Sequence, residues 1–345
     1  VTPVATLSPD ARVLVIAVAR IGDTLLATPM LRALKQASPR GYLEVMTHPK
    51  RLDVLRHLPF IDRLTSISKG SAWLRSLLRT KRFDWAFVFG QDLALVKYAL
   101  RVSDKVVAFR QADDAVNARL HDAVDEPIPS PHAVWHRLLL LRSTGVNAGD
   151  LRLAWQVTVS EREAARAWLA QRIVSPDARP IIGLQLASFH TKSHRDWPVE
   201  RFVEMARLAL AEMPHARFVL LGDHQGIPAA EEFRAVLPEC SVMAAGTLSL
   251  RASAALVSQL DLYVGVDTGP THIAGALGIP MVALYHAAYP GRNLAPLQNP
   301  LCRVIEHPNT GIAADINADM SDITAASVWA EGSSLLQAAA KRNTQ

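Results

Sequence analysis

Cysteine is nearly missing from this chain: Cys240 and Cys302 are the only two in 345 residues. Two thiols make neither a disulfide framework nor a cysteine-based zinc site, and both fit small buried hydrophobes in a reducing cytosol. Long apolar runs are missing too. The longest clean ones, such as residues 13–19, have the length of a buried strand and fall short of the ~20 residues that span a bilayer. The first residues show no basic stretch leading into a long apolar one, so no cleavable signal is expected. There is no low-complexity tract, no His-Glu-x-x-His and no Gly-x-Ser-x-Gly elbow, so zincin and serine-hydrolase chemistry find no local signal.

What is present is a globular composition, with 50% hydrophobic and 20% charged residues. At 345 residues the chain is long enough for two domains. The net charge of +5 is uneven: residues 1–150 hold 21 Lys and Arg against 14 Asp and Glu, and the remainder holds 16 against 18. Lys69, Arg75, Arg79, Lys81 and Arg82 are among the basic residues of the first part. They read either as a solvated helix face or as the footprint of an anionic partner: a nucleic acid, a lipid head group or a phosphorylated sugar. No recognition module and no basic–aromatic interleaving supports a nucleic acid.

Short apolar runs alternate with amphipathic stretches. Strands are expected near 13–18, 43–46, 63–67, 85–89 and 106–109, with helices near 31–34, 51–57, 72–78, 94–101 and 133–143. After a helix at 160–172 and the turn Ser175-Pro176-Asp177 the alternation restarts. Strands then fall near 181–186, 218–221, 241–243, 262–266 and 281–285, with helices between them. Continuously apolar strands interleaved with helices predict α/β architecture, with doubly wound parallel sheets covered on both faces. The expected domains are 1–160 and 161–345, the last helix being a candidate for packing back on the first domain.

Three stretches could carry chemistry. Arg20-Ile21-Gly22-Asp23 follows the first strand, where open α/β sheets place ligands. Asp23 is either a general base or a helix cap, and Pro29 makes the helix kink or start again at Thr28. Gly265-Val266-Asp267-Thr268-Gly269-Pro270-Thr271-His272 is a strand-to-helix turn whose N–H groups suit a diphosphate, with Thr268, Thr271 and His272 adding donors. It is neither a Walker loop nor a dinucleotide fingerprint. The loop Ser188-Phe189-His190-Thr191-Lys192-Ser193-His194-Arg195 gathers cations where a phosphate would lie, and Lys192 or Arg195 could neutralise it.

Taken in order, these stretches resemble the lipopolysaccharide heptosyltransferases, glycosyltransferase family nine. Residues 20–34, Phe60-Ile61-Asp62-Arg63, Phe83-Asp84-Trp85 and His132-Ala133 match its first domain. Trp197-Pro198, the segment 267–272 and residues 278–285 match its second. The resemblance implies a GT-B architecture of two Rossmann-like domains facing across a cleft. It implies an inverting transfer of heptose from ADP-heptose or a related nucleotide sugar to an anionic, lipid-linked inner-core acceptor, with no obligatory cofactor or metal. Asp23 is then the expected general base. Ser188, Lys192 or Arg195, Asp267, Thr268, Gly269, Thr271 and His272 are the expected donor contacts. Arg20, Gly22, Arg79 and Arg82 are the expected acceptor contacts. A cytoplasmic enzyme with peripheral inner-membrane contact follows from such an acceptor. A transferase with another nucleotide sugar, or a non-catalytic binding module, is the alternative. Two turns depart from the family pattern: Gly222-Asp223-His224-Gln225-Gly226 lacks its ribose-contacting Glu, and His286-Ala287-Ala288-Tyr289 replaces its small-residue turn.

Overall fold

The computed structural model describes residues 5–68, 70, 81–175, 177–311 and 316–343. The chain divides into two compact units, Val1–Gln156 and Val157–Gln345. The first is built on β1 (Arg12–Ala17), β2 (Tyr42–Thr47), β3 (Arg63–Ser66), β4 (Phe83–Val88), β5 (Ser103–Phe109) and β6 (Asp122–Val124). The second is built on β7 (Ile181–Gln185), β8 (Arg217–Leu221), β9 (Ser241–Met243), β10 (Leu262–Val266), β11 (Met281–Tyr285) and β12 (Cys302–Glu306).

Both sheets are six-stranded, with orders β3-β2-β1-β4-β5-β6 and β12-β11-β10-β7-β8-β9. Every pairing is parallel. Read from its own first strand, each sheet has the 3-2-1-4-5-6 order of the doubly wound fold, reversing direction at β1/β4 and at β7/β10. Such a reversal opens a crevice at the carboxyl ends of the two flanking strands, because the loops on either side leave in opposite directions.

Parallel strands must bury both faces, and the sequence supplies this with unbroken apolar runs. All five residues of β10 and of β11 are buried. In the second sheet Ile182, Leu184, Val264 and Val282 face the helices Val199–Glu212 and Ala325–Asn343, meeting Phe202, Met205, Val328 and Trp329. Their neighbours Ile181, Val219, Tyr263 and Met281 face the other way, onto Leu256, Val257 and Ala274. The final helix thus packs on the second sheet. In the first unit Leu14, Ile16, Ala86 and Val106 meet Leu95, Val96 and Ala99 of the helix Leu93–Val102.

Some elements differ from the sequence expectation. The edge strands β6 and β12 were not anticipated: the first is three residues long and opens on Asp122, the second holds Arg303 and Glu306 and has no fully buried residue. The helix expected at 133–143 ends at Leu138 and tightens into a 3-10 turn at Leu139–Leu141. Thr144 closes that turn, its N–H and hydroxyl both donating to the Leu141 carbonyl at 2.9 and 2.7 Å. The helix expected at 72–78 lies outside the described residues.

Candidate functional site

The turn after β1 places Asp23. A short helix, Ile21–Leu25, is followed by a separate helix, Thr28–Ala37, with Pro29 in its first turn. Proline lacks the N–H that an unbroken helix would need there, and the Thr28 hydroxyl donates to the Leu25 carbonyl at 2.6 Å across the break. The residue capping the first helix is Arg20, which makes no side-chain cap. Asp23 therefore does not cap. Its Oδ1 accepts from Nη2 of Arg137 at 2.8 Å. Arg137 stands on the helix Ala133–Leu138 and also donates to the Ala133 carbonyl at 2.8 Å. Its side chain is 16% exposed and that of Asp23 is 42% exposed. Burial draws the Arg137 guanidinium below the ordinary arginine range while Asp23 opposes the shift, and the group stays a cation. The arrangement is a partly exposed carboxylate held by a buried cation.

Arg20 is exposed beside Asp23, and Gly22 lies in the same short helix. Arg82 is a correction. It precedes β4, and its carbonyl accepts from Nε of Arg12, the first residue of β1, at 2.8 Å. This is the amino edge of the sheet. Six residues of strand at ~3.3 Å each, roughly 20 Å, separate that edge from the one carrying Asp23, so the structure does not bring Arg82 to the Asp23 turn. Arg79 lies outside the described residues.

In the second unit the loop after β7 and the turn after β10 flank the strand-order reversal. Asp267 follows β10 and is buried. Its Oδ2 accepts from Nη1 of Arg195 at 2.9 Å, and its Oδ1 lies 3.6 Å from Nε2 of His272. Arg195 closes the 3-10 stretch His190–Arg195, next to Asp196, Trp197 and Pro198. Trp197 anchors that end of the loop: it is buried, its Nε1 donates to the Ile323 carbonyl at 2.9 Å and its ring packs on Phe202. Lys192 sits at a kink in the middle of the same stretch. Of the two candidate cations, Arg195 is the fixed one.

Several expected donors are engaged elsewhere. The Ser188 hydroxyl donates to the Lys192 carbonyl at 2.9 Å, and the Ser188 N–H to Asp196 Oδ1 at 2.7 Å. Burial raises the Asp196 carboxyl above its ordinary range. Thr271 is fully buried and bonded to the Val266 carbonyl and the Tyr263 hydroxyl. The helix Gly269–Leu277 offers fewer free N–H groups than its motif suggests, because those of Thr271 and His272 donate to the Thr268 carbonyl and Pro270 has none. The electrostatic weight at this turn therefore shifts from backbone to the Arg195 side chain.

One feature was not legible in the sequence. Among the described residues, Gln185 Oε1, His194 Nε2, Arg195 Nε and His272 Nδ1 are buried with no hydrogen-bond partner. All four residues belong to the carboxyl ends of β7 and β10 or the segments that follow them. Buried polar atoms are normally satisfied, so these four leave hydrogen-bonding capacity at the carboxyl ends of β7 and β10 that a polar ligand or water can take up. Gly265 belongs to this packing: a Cβ there would come within 2.7 Å of the Gln185 Cβ and 2.6 Å of the Tyr263 hydroxyl. Arg137 and Tyr289 were also missed as site residues. Arg137 lies 114 positions from Asp23, and Tyr289 meets Arg195 across the turn after β11.

Three comparisons bear on this geometry. The profile of glycosyltransferase family 9 (heptosyltransferase) matches residues 74–312. Lipopolysaccharide heptosyltransferase 2 of Salmonella typhimurium is 27% identical over 300 residues, covering 81% of this chain and 84% of that protein. Among solved structures, a glycosyl transferase family 9 protein from Veillonella parvula superposes with a TM-score of 0.80 at 19% identity, covering 96% of this chain and 99% of that one. The E. coli ADP-heptose lipopolysaccharide heptosyltransferase II superposes with a TM-score of 0.75 at 21% identity, covering 94% and 98%. The fold is thus the GT-B type, with two Rossmann-like sheets in one chain.

Proposed function

The chain belongs to glycosyltransferase family 9, the heptosyltransferases, and on that premise we propose that it moves a heptose from ADP-heptose to an anionic inner-core sugar of lipopolysaccharide by a single displacement, with Asp23 as general base. Asp23 takes the proton of the acceptor hydroxyl. The freed oxygen attacks the anomeric carbon, and the bond from that carbon to the diphosphate breaks. ADP departs with the electron pair, and one displacement inverts the anomeric centre. Arg195 meets the charge that builds on the leaving diphosphate, and Lys192 adds a second cation. Arg137 holds the Asp23 carboxylate in place. Arg20 and the basic excess of residues 1–150 favour an acceptor that carries phosphate. A lipid-linked acceptor implies work at the cytoplasmic face of the inner membrane. No helix among the described residues is long and apolar enough to cross a membrane.

The observation that carries this reading is the crevice at β7/β10, where a fixed arginine and a cluster of unpaired polar atoms coincide with a family whose solved relatives include an ADP-heptose transferase. The test is a donor panel. ADP release should require both ADP-heptose and a lipid A core acceptor. Equal or faster release of UDP or GDP from a uridine- or guanosine-linked sugar would overturn the donor assignment.

A further inference from the structure

We propose that Tyr289 is a positioning residue for the donor diphosphate, holding Arg195 and Lys192 in their phosphate-facing places before the donor arrives. The inference rests on the donor-site reading above and adds a residue to it.

Tyr289 stands in the turn after β11, the strand next to β10 in the sheet. The Arg195 guanidinium lies over its ring at 3.5 Å from the centroid, a stacking distance. The Lys192 ammonium lies 5.5 Å from the same centroid. Both cations of the loop after β7 therefore converge on one aromatic ring. A guanidinium stacks on such a ring because it is planar and weakly hydrated. Arg195 is also gripped by Asp267 at 2.9 Å. Two of its contacts are thus fixed within the protein, while its Nε is buried and unpartnered.

The ring is itself held. The Tyr289 N–H donates to the His286 carbonyl at 2.9 Å. His286 is buried; its Nδ1 accepts from the Ala288 N–H at 3.1 Å and its Nε2 donates to the Ala318 carbonyl at 3.0 Å. His194 lies against both rings, 5.4 Å from His286 and 5.9 Å from Tyr289. The turn is therefore tied to the chain on both sides of the platform. The Tyr289 hydroxyl is held below the ordinary tyrosine range, first by hydrogen bonding to Arg195 and then by the charge of Lys192 and Arg195. This is the electrostatic counterpart of the same contact.

A long cationic side chain that waits in solvent must be ordered when the phosphate binds, and one already stacked need not be. Removing the platform should weaken binding of the diphosphate and leave contacts to the nucleoside unchanged.

The experiment compares Tyr289→Ala and Tyr289→Phe with the parent protein by calorimetry, using ADP and adenosine as probes, and by steady-state kinetics with the full substrates. Tyr289→Ala should raise the Kd for ADP and the KM for the donor about tenfold, the effect expected of a partly buried cation–π contact. Adenosine binding and the acceptor KM should stay within twofold, and kcat should fall less than the donor KM rises. Tyr289→Phe keeps the ring and should recover most of the loss. Unchanged ADP binding in Tyr289→Ala overturns this inference alone, as does an equal loss for ADP and adenosine, which would mark Tyr289 as a general support of the turn. A parent protein that binds no ADP overturns the donor-site reading and this inference with it.

Discussion

The two units each carry an aspartate–arginine pair at the carboxyl edge of the same kind of sheet; the arginine is buried in both, and the pairs differ in whether the carboxylate is hidden too. In the first unit Asp23 is 42% exposed and its arginine, Arg137, only 16%. In the second Asp267 is 5% exposed and its arginine, Arg195, 14%. The distances are nearly equal, 2.8 and 2.9 Å, so geometry alone does not distinguish them. Burial does. On the reading proposed above, the exposed carboxylate of Asp23 is the one a substrate hydroxyl can reach, and the buried carboxylate of Asp267 serves to anchor Arg195.

The contrast is broken or sharpened most strongly at the aspartates. Asp23→Asn keeps a hydrogen-bond acceptor for Arg137 and removes the base. Turnover should fall by about 10²–10⁴-fold with the Kd for ADP unchanged, as for loss of a general base. Asp267→Asn should instead weaken ADP binding through Arg195. If the two variants give the same split between kcat and Kd, the distinction fails.

A smaller effect is expected at the cations of the loop after β7. A hydrogen bond to a charged group contributes ~1.5–3 kcal/mol, so Arg195→Ala should raise the Kd for ADP by roughly 10–100-fold. Lys192→Ala, at the kink, should raise it less than about fivefold. Calorimetry on both variants decides between them, and the reverse order would move the clamp to Lys192.

A third ion pair serves as the structural control. Glu161 accepts from Arg251 Nη2 at 2.7 Å and completes a capping box with Thr158 at the start of the helix Val159–Ala170. The Arg251 guanidinium holds the Glu161 carboxyl down to about 2 from an ordinary 4.5. The folded state binds this proton less readily than the unfolded state. The stabilisation is therefore fully present above the ordinary value and is lost as pH falls through about 4.5 toward about 2. Arg251→Leu should lower stability at neutral pH by about 2–3 kcal/mol, below the full figure for a buried pair because Glu161 is partly exposed. The variant should show a weaker acid loss in urea titrations and leave ADP binding alone.

The smallest effect is expected at His286. Burial, above all, holds its imidazole below the ordinary range, outweighing the opposing hydrogen bond to Ala318. The unfolded chain therefore takes up the proton first, and stability should decline as pH falls below about 6.5, the unfolded value. His286→Asn should flatten that limb, because asparagine takes up no proton in this range.

The sequence made the two sheets legible because parallel strands buried on both faces leave unbroken apolar runs, as at residues 13–17 and 262–266. It hid β6 and β12, whose edge positions tolerate Asp122, Arg303 and Glu306. Asp23 was visible as a carboxylate after the first strand, and its partner was not, because Arg137 reaches it from a helix 114 residues on. Charge counting pointed to Arg82, but a tally of charges carries no information about which end of a strand a residue occupies. Lys192 and Arg195 read alike in the sequence; that Arg195 is tied to Asp267 and its neighbour Trp197 is anchored on Ile323, 126 positions away, shows only in the fold.

Each sheet carries its own helices and its own core, and the chain passes from one unit to the other between Gln156 and Val157. The capping box at Thr158 and the Glu161 ion pair both lie just beyond that point. A recombination event at this place would cut neither of these cores, and would hand over the crevice at β7/β10, the Thr158 cap and the Glu161 ion pair as one heritable block. Family members that exchanged such blocks would be expected to inherit donor and acceptor preferences separately.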